Sequence, residues 1–458
     1  MDQFKVTQEG VLSPLPTSKD SEEQYLSLSE IYACPQPPQM PKKLPQLVKV
    51  VTSLTPDDFK ATVAQNMFPP LAIYPKHLSF TYLDNQERQL RINCLTVGDT
   101  GGGKDVSTRQ PLKYILADVK QRDEENRIRL LAFNSEYNRK GANAEKPPRP
   151  DDLVIQCIKS DITRAALYQR MDEAQSAPLY VKLNEIEQWD KVEGATGKNN
   201  QFTTLKLADD EENDFGADRA GTQSVTASGS LFLNWNANTT TSKAIRYFKY
   251  VQTDGPISRL CLATVPVREC GSEMPVFGTY DEKYAKKLQP YIDHLKAATG
   301  IIKCKQALEL AKKLKKECDD FSVLTQDKVF DNLTHRALVH SFRKACLIYA
   351  ANGMKWEKSI EGFCRWSLHY DLWLKMKVWG DAIRKEDSNI ETSKRGPRSL
   401  LDELPLDKNG VFSLQDLVNL RQQKNIGKDG TKGLLSKWKQ RGLIRQLTED
   451  SYQKVLQI

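Results

Sequence analysis

The sequence predicts an α/β fold for the central part of the chain, followed by a helical part and a small C-terminal module. Three observations predict this arrangement. Strand-like and helix-like segments alternate between residues 78 and 264, which is typical of a parallel sheet covered on both faces. From Tyr280 to about Lys385 the apolar spacing is helical throughout. From Lys394 to Ile458 there are thirteen Lys or Arg and seven Asp or Glu, so this tail carries +6 of the net charge of +8.

At 458 residues, 39% of them hydrophobic, the chain is long enough for two or three domains with a sizeable core. It has no apolar run of the roughly 18 residues that cross a bilayer, and its start, MDQFKVTQEG, lacks the layout of a secretory signal. The sequence therefore predicts a cytoplasmic protein without a membrane partner. The nine cysteines occur singly, without a Cys-x-x-Cys pair, which indicates reduced thiols rather than a disulfide framework or a zinc site.

Changes in composition and periodicity divide the chain into six predicted segments. They are a flexible lead-in (1–43), a helical collar (44–77), an α/β core (78–279), a helical domain (280–385), a linker (386–404) and a winged helix-turn-helix module (405–458). The strands of the core are expected near 78–83, 90–97, 153–158, 178–184, 229–235 and 257–264.

Apolar spacing also predicts the individual helices. The first collar helix follows from the i, i+3, i+4, i+7 spacing of Leu44, Leu47, Val48 and Val51. A second is expected to begin at Asp57, aligning Phe59, Val63 and Met67. The polar stretch from Lys120 predicts a helical arm or an exposed loop. In the helical domain, aromatic residues recur every three or four positions, which is typical of a bundle core: Phe363, Trp366, Tyr370 and Trp373.

The stretch GDTGGGKD, from Gly98 to Asp105, lies between a buried-strand pattern and a helix pattern. It matches the glycine, four residues, glycine and lysine of a phosphate-binding loop, but aspartate stands where serine or threonine is usual. Glycines let backbone N–H groups point at an anion, the helix N-terminus adds partial positive charge, and Lys104 would reach the outer phosphates of ATP. The predicted core is therefore a P-loop NTPase of the RecA/AAA+-like kind; the alternative is a flexible turn. The residues predicted to bind the nucleotide are Gly98, Thr100, Gly101, Gly102, Gly103, Lys104, Asp105 and Val106.

Asp105 is the departure from the loop pattern. A hydroxyl at this position normally gives a neutral oxygen to Mg²⁺, and a carboxylate can also bind this hard cation. The carboxylate also brings negative charge close to the nucleotide. Asp105 therefore predicts tighter magnesium binding, weaker nucleotide binding, or both. Ser107 and Thr108 lie too far along the helix to replace the hydroxyl.

A P-loop protein that hydrolyses its nucleotide needs a carboxylate on a neighbouring strand to polarise water or hold metal. The segment PLYVKLNEIEQW begins a strand at Pro178 and places Asn184 and Glu185 at its C-terminal end. Glu185 is the predicted catalytic base and, with Asp105, the predicted magnesium ligand. Asn184 stands where a metal-associated aspartate is common. The alternative is that Glu185 or Glu187 is only a surface charge.

Two further motifs follow in the order found in ring-forming ATPases. The apolar strand GSLFLNWNANTTT carries Asn234, Asn236 and Asn238, whose neutral amides suit the attacking water or the γ-phosphate. The stretch TDGPISRLCLATVP puts Arg259 at the start of the next strand, where a guanidinium could stabilise transition-state charge in a neighbouring subunit. Arg219 is a lesser candidate for this arginine finger.

The C-terminal module is the predicted DNA-binding part. Ser413 is the expected N-cap of one helix, a second helix is expected from about Thr431 to Arg441, and two strand-like segments follow. In a winged helix-turn-helix the second helix would lie in the major groove, with lysines on the flanking phosphates. The alternative is a module for protein contact. The predicted DNA-binding residues are Lys432, Lys437, Lys439, Arg441 and Arg445.

Together these motifs resemble the primase/helicase-like proteins of bacterial mobile elements and phages. The resemblance covers roughly residues 44–270, from LPQLVKVV through GDTGGGKD, LNEIEQ and GTQSVTASGSLFLNWNANTT to TDGPISRL. It implies a ring-forming P-loop ATPase that performs ATP-driven work on DNA. The matched residues and their implied roles are Gly98, Gly103 and Lys104 for phosphate, Glu185 for water activation, Asn236 for sensing and Arg259 for a contact across a subunit boundary. The chain departs from the family at Asp105, and its short lead-in leaves no room for a primase domain, so a separate primase is a possible partner.

Two classes of function follow from these residues. The first is an oligomeric ATPase that translocates on or unwinds DNA, which Glu185, the asparagine strand and Arg259 favour. The second is a DNA-binding initiator or regulatory protein whose slow or inactive nucleotide site controls assembly, which Asp105 and Asn184 favour. The same motor core also moves protein or packages DNA, and the sequence leaves that third task open.

Overall fold

The computed structural model describes most of the chain. The described residues are 27–140, 145–175, 177–190, 209, 215–217, 227–249, 255–273, 275–385, 400–401, 403–407, 409–424, 430–440 and 443–455. Arg219, Arg441, most of the predicted lead-in and most of the predicted linker lie outside them.

Helices and strands are interspersed in the described chain up to residue 264. Up to residue 174 the elements are α1 (Leu28–Ala33), α2 (Gln46–Thr52), α3 (Asp57–Asn66), α4 (Phe68–Leu71), β1 (Leu78–Thr81), β2 (Glu87–Gln89), β3 (Asn93–Val97), α5 (Lys104–Ile115), α6 (Ala117–Arg139), β4 (Cys157–Ile158) and α7 (Arg164–Ala174). Residues 179 to 264 form β5 (Leu179–Lys182), a 3₁₀ turn (Ile186–Gln188), β6 (Phe215–Ala217), β7 (Ala227–Gly229), β8 (Leu233–Thr239), α8 (Thr241–Tyr247), a second 3₁₀ turn (Ile257–Arg259) and β9 (Cys261–Thr264).

Helices dominate from residue 282 to residue 380, and a small mixed module follows. The elements are α9 (Glu282–Ala297), β10 (Gly300–Ile302), α10 (Lys305–Thr325), α11 (Lys328–Ala351), α12 (Ser359–Lys375) with a π turn (Met376–Gly380), β11 (Val411–Ser413), α13 (Leu414–Gln423), α14 (Thr431–Gln440), β12 (Ile444–Gln446) and β13 (Ser451–Lys454).

A five-stranded sheet forms the centre of the molecule. All its strands are parallel, in the order β4-β5-β8-β3-β9, which confirms the predicted α/β core. Every residue of β3 and of β8 is buried, as expected for strands covered on both faces.

The direction of the chain connections reverses between β3 and β8. After β3 the chain crosses to β4 at one edge of the sheet, whereas after β8 it crosses to β9 on the other side of β3. In open α/β sheets, ligands bind outside the carboxyl ends of the strands at such a reversal. The GDTGGGKD segment leaves β3 at this position.

The strand expected at residues 78–83 does not join the parallel sheet. β1 lies instead between β10 and β2 in a separate sheet, parallel to β10 and antiparallel to β2. The cause is a tight turn, since Asn85 adopts a φ of 60° and the Tyr82 N–H donates to the Gln86 carbonyl at 2.9 Å. The chain therefore folds back into a hairpin before it enters β3.

The two predicted collar helices are confirmed as α2 and α3. Leu44 precedes α2 and is only half-buried, but the other side chains that the apolar spacing aligns are buried: Leu47, Val48, Val51, Phe59, Val63 and Met67. α3 lies against the carboxyl ends of the strands, because the Thr62 hydroxyl donates to the Thr264 carbonyl at 2.5 Å and Asn66 Nδ2 donates to Thr96 Oγ1 at 2.9 Å. The collar, the sheet and the helices up to Ile383 share one continuous hydrophobic core.

The polar stretch that begins at Lys120 is helical as far as Arg139, as expected for the predicted arm, and residues 145–152 are not helical. The helical part forms most of the 23-residue helix α6. Ile128 and Leu131 are 64% and 71% exposed, so this helix is only partly covered by the core.

α12 carries the aromatic series and closes one edge of the sheet. The four aromatic side chains are each at most 6% exposed, which confirms them as core: Phe363, Trp366, Tyr370 and Trp373. Asp371 Oδ1 accepts the N–H of Leu262 at 2.7 Å, and the Tyr370 hydroxyl accepts the N–H of Thr264 at 3.1 Å. The edge strand β9 therefore bonds to the helical part instead of presenting an open edge.

His369 of α12 predicts acid destabilisation of the fold. Burial lowers the pKa of His369 to about 3, with a further contribution from Arg365. Its Nε2 lies 3.4 Å from Glu317 Oε1, but Arg365 holds that same oxygen at 2.7 Å, so burial outweighs the carboxylate. Because an unfolded histidine titrates near 6.5, the unfolded state binds more protons between about pH 6.5 and about pH 3, and stability falls as the pH drops through this window.

We expect thermal unfolding to show a larger loss of stability between about pH 7 and about pH 5 in wild type than in His369→Gln. Equal losses would contradict the assignment.

The C-terminal module has its own small core. Ser413 caps α13 as predicted, since its Oγ accepts the Asp416 N–H at 3.1 Å and Asp416 Oδ2 accepts the Ser413 N–H at 2.8 Å. α13 and α14 contact an antiparallel sheet of order β11-β13-β12. The buried members of this core are Leu401, Leu404, Phe412, Leu417, Leu420, Leu435, Trp438, Ile444 and Tyr452.

Within the described residues, no helix has both the length and the apolar character needed to cross a bilayer. All nine cysteines are free, and six of them are buried.

Candidate functional site

The glycine-rich loop joins β3 to α5 and depends on glycine in two different ways. Gly101 and Gly103 have φ values of 77° and 83°, which glycine adopts at little cost. Gly98 and Gly102 allow close approach to Val265, because a Cβ would lie 2.5 Å from Val265 Cγ2 at Gly98 and 3.0 Å at Gly102. The lack of a side chain at Gly98 and Gly102 therefore lets the loop pack closely against Val265, just after β9.

Gly98→Ala is expected to displace the loop and to destabilise the protein by about 1–3 kcal/mol, the usual cost of overpacking. Thermal unfolding and ATP affinity would both be measured. The double variant Gly98→Ala/Val265→Ala removes the clashing methyl group and should recover most of the loss. At Gly101 a Cβ would meet nothing within 4 Å, so Gly101→Ala reports backbone strain without a clash. If the double variant is no better than Gly98→Ala, the clash is not the cause.

The ammonium of Lys104 closes the loop. Its Nζ donates to the carbonyl oxygens of Gly98 and Asp99, at 2.8 Å and 2.6 Å. The pKa of Lys104 lies below its usual value, chiefly because burial disfavours the ammonium, and Lys243 acts in the same direction. Asp99 and Glu185 oppose this shift. Lys104 and Glu185, which the sequence assigns to one site, are therefore electrostatic neighbours.

Asp105 makes ion pairs in the first turn of α5. Its Oδ1 accepts from Lys182 Nζ at 2.6 Å, and its Oδ2 accepts from Arg109 Nε at 3.0 Å. Burial alone would raise the pKa of Asp105, but these hydrogen bonds outweigh it and keep the pKa below its usual value. The buried Ser107 hydroxyl donates to the Lys104 carbonyl at 2.8 Å, so it does not take the place of the missing loop hydroxyl.

Glu185 follows β5, and its carboxylate forms an ion pair with Lys243 in the first turn of α8. Its Oε2 accepts from Lys243 Nζ at 2.7 Å, and the same ammonium lies 3.5 Å from Glu187 Oε1. The hydrogen bond to Glu185 is the main reason that the pKa of Lys243 is raised. The Glu185 side chain is 60% exposed, so it opens to solvent and can meet a ligand.

The sequence predicts a magnesium ion held by Asp105 and Glu185. The arrangement of these two side chains does not fit such a site. Hard cations need carboxylate oxygens that are free to coordinate. Both oxygens of Asp105 accept from Lys182 and Arg109, and one oxygen of Glu185 accepts from Lys243. No group of three or more His, Cys, Asp or Glu side chains in the described part of the chain is arranged to hold a metal. The reason for the difference is that a lysine accompanies each carboxylate.

The asparagines of β8 differ in role, because β8 extends to Thr239 rather than ending near residue 235. The predicted sensor Asn236 is 4% exposed, and its Nδ2 donates to Asn66 Oδ1 at 2.8 Å while its Oδ1 accepts from the Tyr180 hydroxyl at 2.9 Å. Its amide is therefore used inside the core. Asn238 lies on the same face one step nearer the carboxyl end, is 8% exposed, and has no side-chain hydrogen bond to any described residue. Asn238 is the better-placed asparagine for a ligand.

Arg259 lies away from the loop within one chain. It ends the 3₁₀ turn that precedes β9, at the amino end of the sheet, whereas the loop leaves the carboxyl end of β3. Its Nη1 donates to the Gly255 carbonyl at 3.1 Å. The structure therefore does not bring Arg259 together with Lys104 and Glu185, and its role across a subunit boundary remains a prediction.

A cavity of about 370 Å³ opens beside the loop. Its apolar wall is formed by Phe59 of α3, Val106 of α5 and Val267 after β9. Val106 and Val267 are 43% and 78% exposed. Among the predicted nucleotide ligands, Gly101, Gly102, Gly103 and Val106 line this cavity, whereas Thr100 is exposed at the loop tip.

The predicted DNA-binding residues within the described chain are all exposed: Lys432, Lys437, Lys439 and Arg445. Leu435 and Trp438 occupy the opposite, buried face of α14. Two other basic residues of the module serve its own structure, because Arg421 is 9% exposed and Lys424 lies 2.5 Å from Glu403.

Sequence reasoning missed two lysines of the site. Lys182 could have been found, because strand alternation puts it on the same face as Asn184, at the end of the strand that leads to Glu185. Lys243 gave no comparable signal. Its contact with Glu185 depends on β5 and β8 being neighbours in the sheet, which local spacing does not reveal.

Comparison of the chain with protein-family models gives no match, and comparison with curated proteins gives none either. The functional conclusion therefore depends on the geometry of the site.

Proposed function

We propose that this chain is an ATP-dependent DNA translocase or helicase-like protein that acts in the cytoplasm, in the replication of a mobile genetic element or phage. One observation carries the proposal: the loop that ends in Lys104 follows β3 and Glu185 follows β5, so both lie outside the carboxyl ends of one parallel sheet, beside the reversal of its connections. In P-loop NTPases a loop lysine holds the outer phosphates, and a residue on another element orients or activates the nucleophile. The resemblance to primase/helicase-like proteins supports the same conclusion.

The phosphates of ATP would lie over the N-terminus of α5. There the first backbone N–H groups of the helix lack partners within it, and the helix dipole favours an anion. Lys104 would exchange its two carbonyl partners for phosphate oxygens. The apolar wall of the cavity beside the loop, formed in part by Phe59 and Val106, would receive the nucleobase.

The proposal includes a homo-oligomeric ring and a separate primase. Arg259 lies at the amino end of the sheet, whereas its own loop lies at the carboxyl end, so in a ring it would act on the nucleotide of the adjacent chain. Hydrolysis in one chain would then depend on its neighbour. Primer synthesis would come from another protein.

DNA binding is proposed for the exposed basic face of α14 and β12, as in a winged helix. If Lys432 and Lys437 contact phosphates, their joint replacement by alanine should weaken DNA binding and lower the slope of log K against log salt by about 2. Filter binding or fluorescence anisotropy at several salt concentrations would measure this. Lys424→Ala is the matched control, since it removes one positive charge that the module pairs with Glu403. An unchanged slope in the double variant would favour the protein-contact alternative.

A second candidate is a DNA-binding initiator or regulatory protein whose nucleotide site controls assembly without rapid turnover. The pairing of Asp105 with Lys182 and of Glu185 with Lys243 favours it, because a lysine ammonium already engages each of the two carboxylates.

Single-strand-stimulated ATPase activity of the full chain separates the two candidates. We expect turnover that DNA stimulates, and closed rings in negative-stain images with a non-hydrolysable ATP analogue. Nucleotide and DNA binding without turnover would replace the motor by the regulatory candidate. No affinity for ATP under any condition would remove both.

A further inference from the structure

The residue after the loop lysine forms a salt bridge instead of offering a hydroxyl. Lys182 Nζ lies 2.6 Å from Asp105 Oδ1, and the two side chains are 28% and 40% exposed. Arg109 binds the other carboxylate oxygen. The side chains of Lys182, Arg109 and Asp105 together therefore carry a net charge of +1 at this position.

Lys182 reaches this position from the strand that leads to Glu185. It is the last residue of β5, and Asn184 follows two positions later, in the bend just beyond the strand. An ammonium and a neutral amide therefore stand at the strand end where an acidic metal ligand would be expected. Because Asp105 directly follows Lys104 in the first turn of α5, the Lys182 ammonium lies beside the same helix N-terminus as the loop lysine.

The Lys182 ammonium also retains hydrogen-bonding capacity. A lysine has three N–H donors, and Asp105 is the only side-chain partner of Lys182 within the described residues. The remaining donors would bind an anion placed over the helix N-terminus. Asp105 would then keep the ammonium in place without a metal.

We propose that Lys182, positioned by Asp105, substitutes for magnesium at this loop, so that a nucleoside triphosphate binds without a divalent cation. This inference rests on the proposed nucleotide site. The cation that neutralises the phosphates is a side chain, present before the nucleotide arrives. Affinity for ATP should therefore be nearly the same with magnesium and with a chelator.

Titration calorimetry of the full chain with a non-hydrolysable ATP analogue, in excess magnesium or in EDTA, tests this. In wild type the two dissociation constants should agree within about threefold, a difference of less than 1 kcal/mol. Lys182→Met should weaken binding in EDTA by about tenfold or more, since a charge-assisted contact to phosphate is lost. Lys113→Met, at the exposed far end of α5, is the matched control and should bind like wild type.

A gain of magnesium dependence provides the converse test. Asp105→Ser/Asn184→Asp restores the usual hydroxyl and carboxylate, and its affinity should become at least about tenfold tighter with magnesium than with EDTA. Wild-type binding that is lost in EDTA would overturn the inference and leave the nucleotide site standing. Absence of binding in both conditions would overturn the proposed function as well. The wild-type comparison needs no variant, so a variant that fails to fold does not prevent a decision.

Discussion

Replacement of Lys104 by alanine is expected to weaken ATP binding by about 100-fold, the equivalent of about 3 kcal/mol. The ammonium bonds two loop carbonyls in the free protein and would bond two phosphate oxygens in the complex. Removing it deletes a positive charge from a partly buried site next to a polyanion. Titration with ATP or a fluorescent analogue measures the loss directly.

The variant also removes the side chain that closes the loop, so the integrity of the fold needs its own measurement. Lys113→Ala lies on the same helix, at its exposed far end, and should bind ATP like wild type. Thermal unfolding of Lys104→Ala should stay close to wild type, because the two lost bonds join a half-buried ammonium to carbonyls of the loop alone. ATP affinity that survives the replacement would show that GDTGGGKD is only a turn, the alternative that its glycine content leaves open.

The features that sequence could predict are those set by local periodicity. The collar helices, the aromatic core of α12 and the N-cap at Ser413 all follow from spacing within one or two turns, and the structure confirms them. The glycine-rich loop after a buried strand can likewise be predicted from local sequence. A phosphate loop can be predicted in this way because its strand, turn and helix are continuous in sequence.

The features that sequence could not predict depend on neighbours far apart in the chain. Asn236 has the spacing of a sensor, yet Asn66 and Tyr180 engage its amide inside the core. The lysine that pairs with Glu185 is supplied by α8, after β8, and the order of the sheet brings the two side chains together. Charges that meet only through the sheet order carry no local pattern.

Glu185→Gln is expected to lower ATP turnover by about 10²–10⁴-fold, the range that a general base contributes, while ATP affinity stays close to wild type. The glutamine keeps the size of the side chain but cannot accept a proton from water. In the free protein Glu185 Oε2 bonds Lys243, and Glu185 is 60% exposed, so solvent screens this ion pair and it contributes little to the stability of the protein. A bound phosphate can therefore compete for Lys243 and release the carboxylate.

Glu187→Gln is the matched control, because Glu187 also lies near Lys243, at 3.5 Å, but belongs to the 3₁₀ turn that follows Glu185. It should retain most of the turnover, since its removal leaves the proposed base intact. Equal losses in the two variants would mean that both carboxylates act through Lys243, by setting the charge around the phosphates. Turnover that neither variant changes would remove Glu185 from the chemistry. If the wild-type chain binds ATP and DNA without turnover, the lysines keep Asp105 and Glu185 engaged in the nucleotide complex as well. The nucleotide would then act through assembly alone.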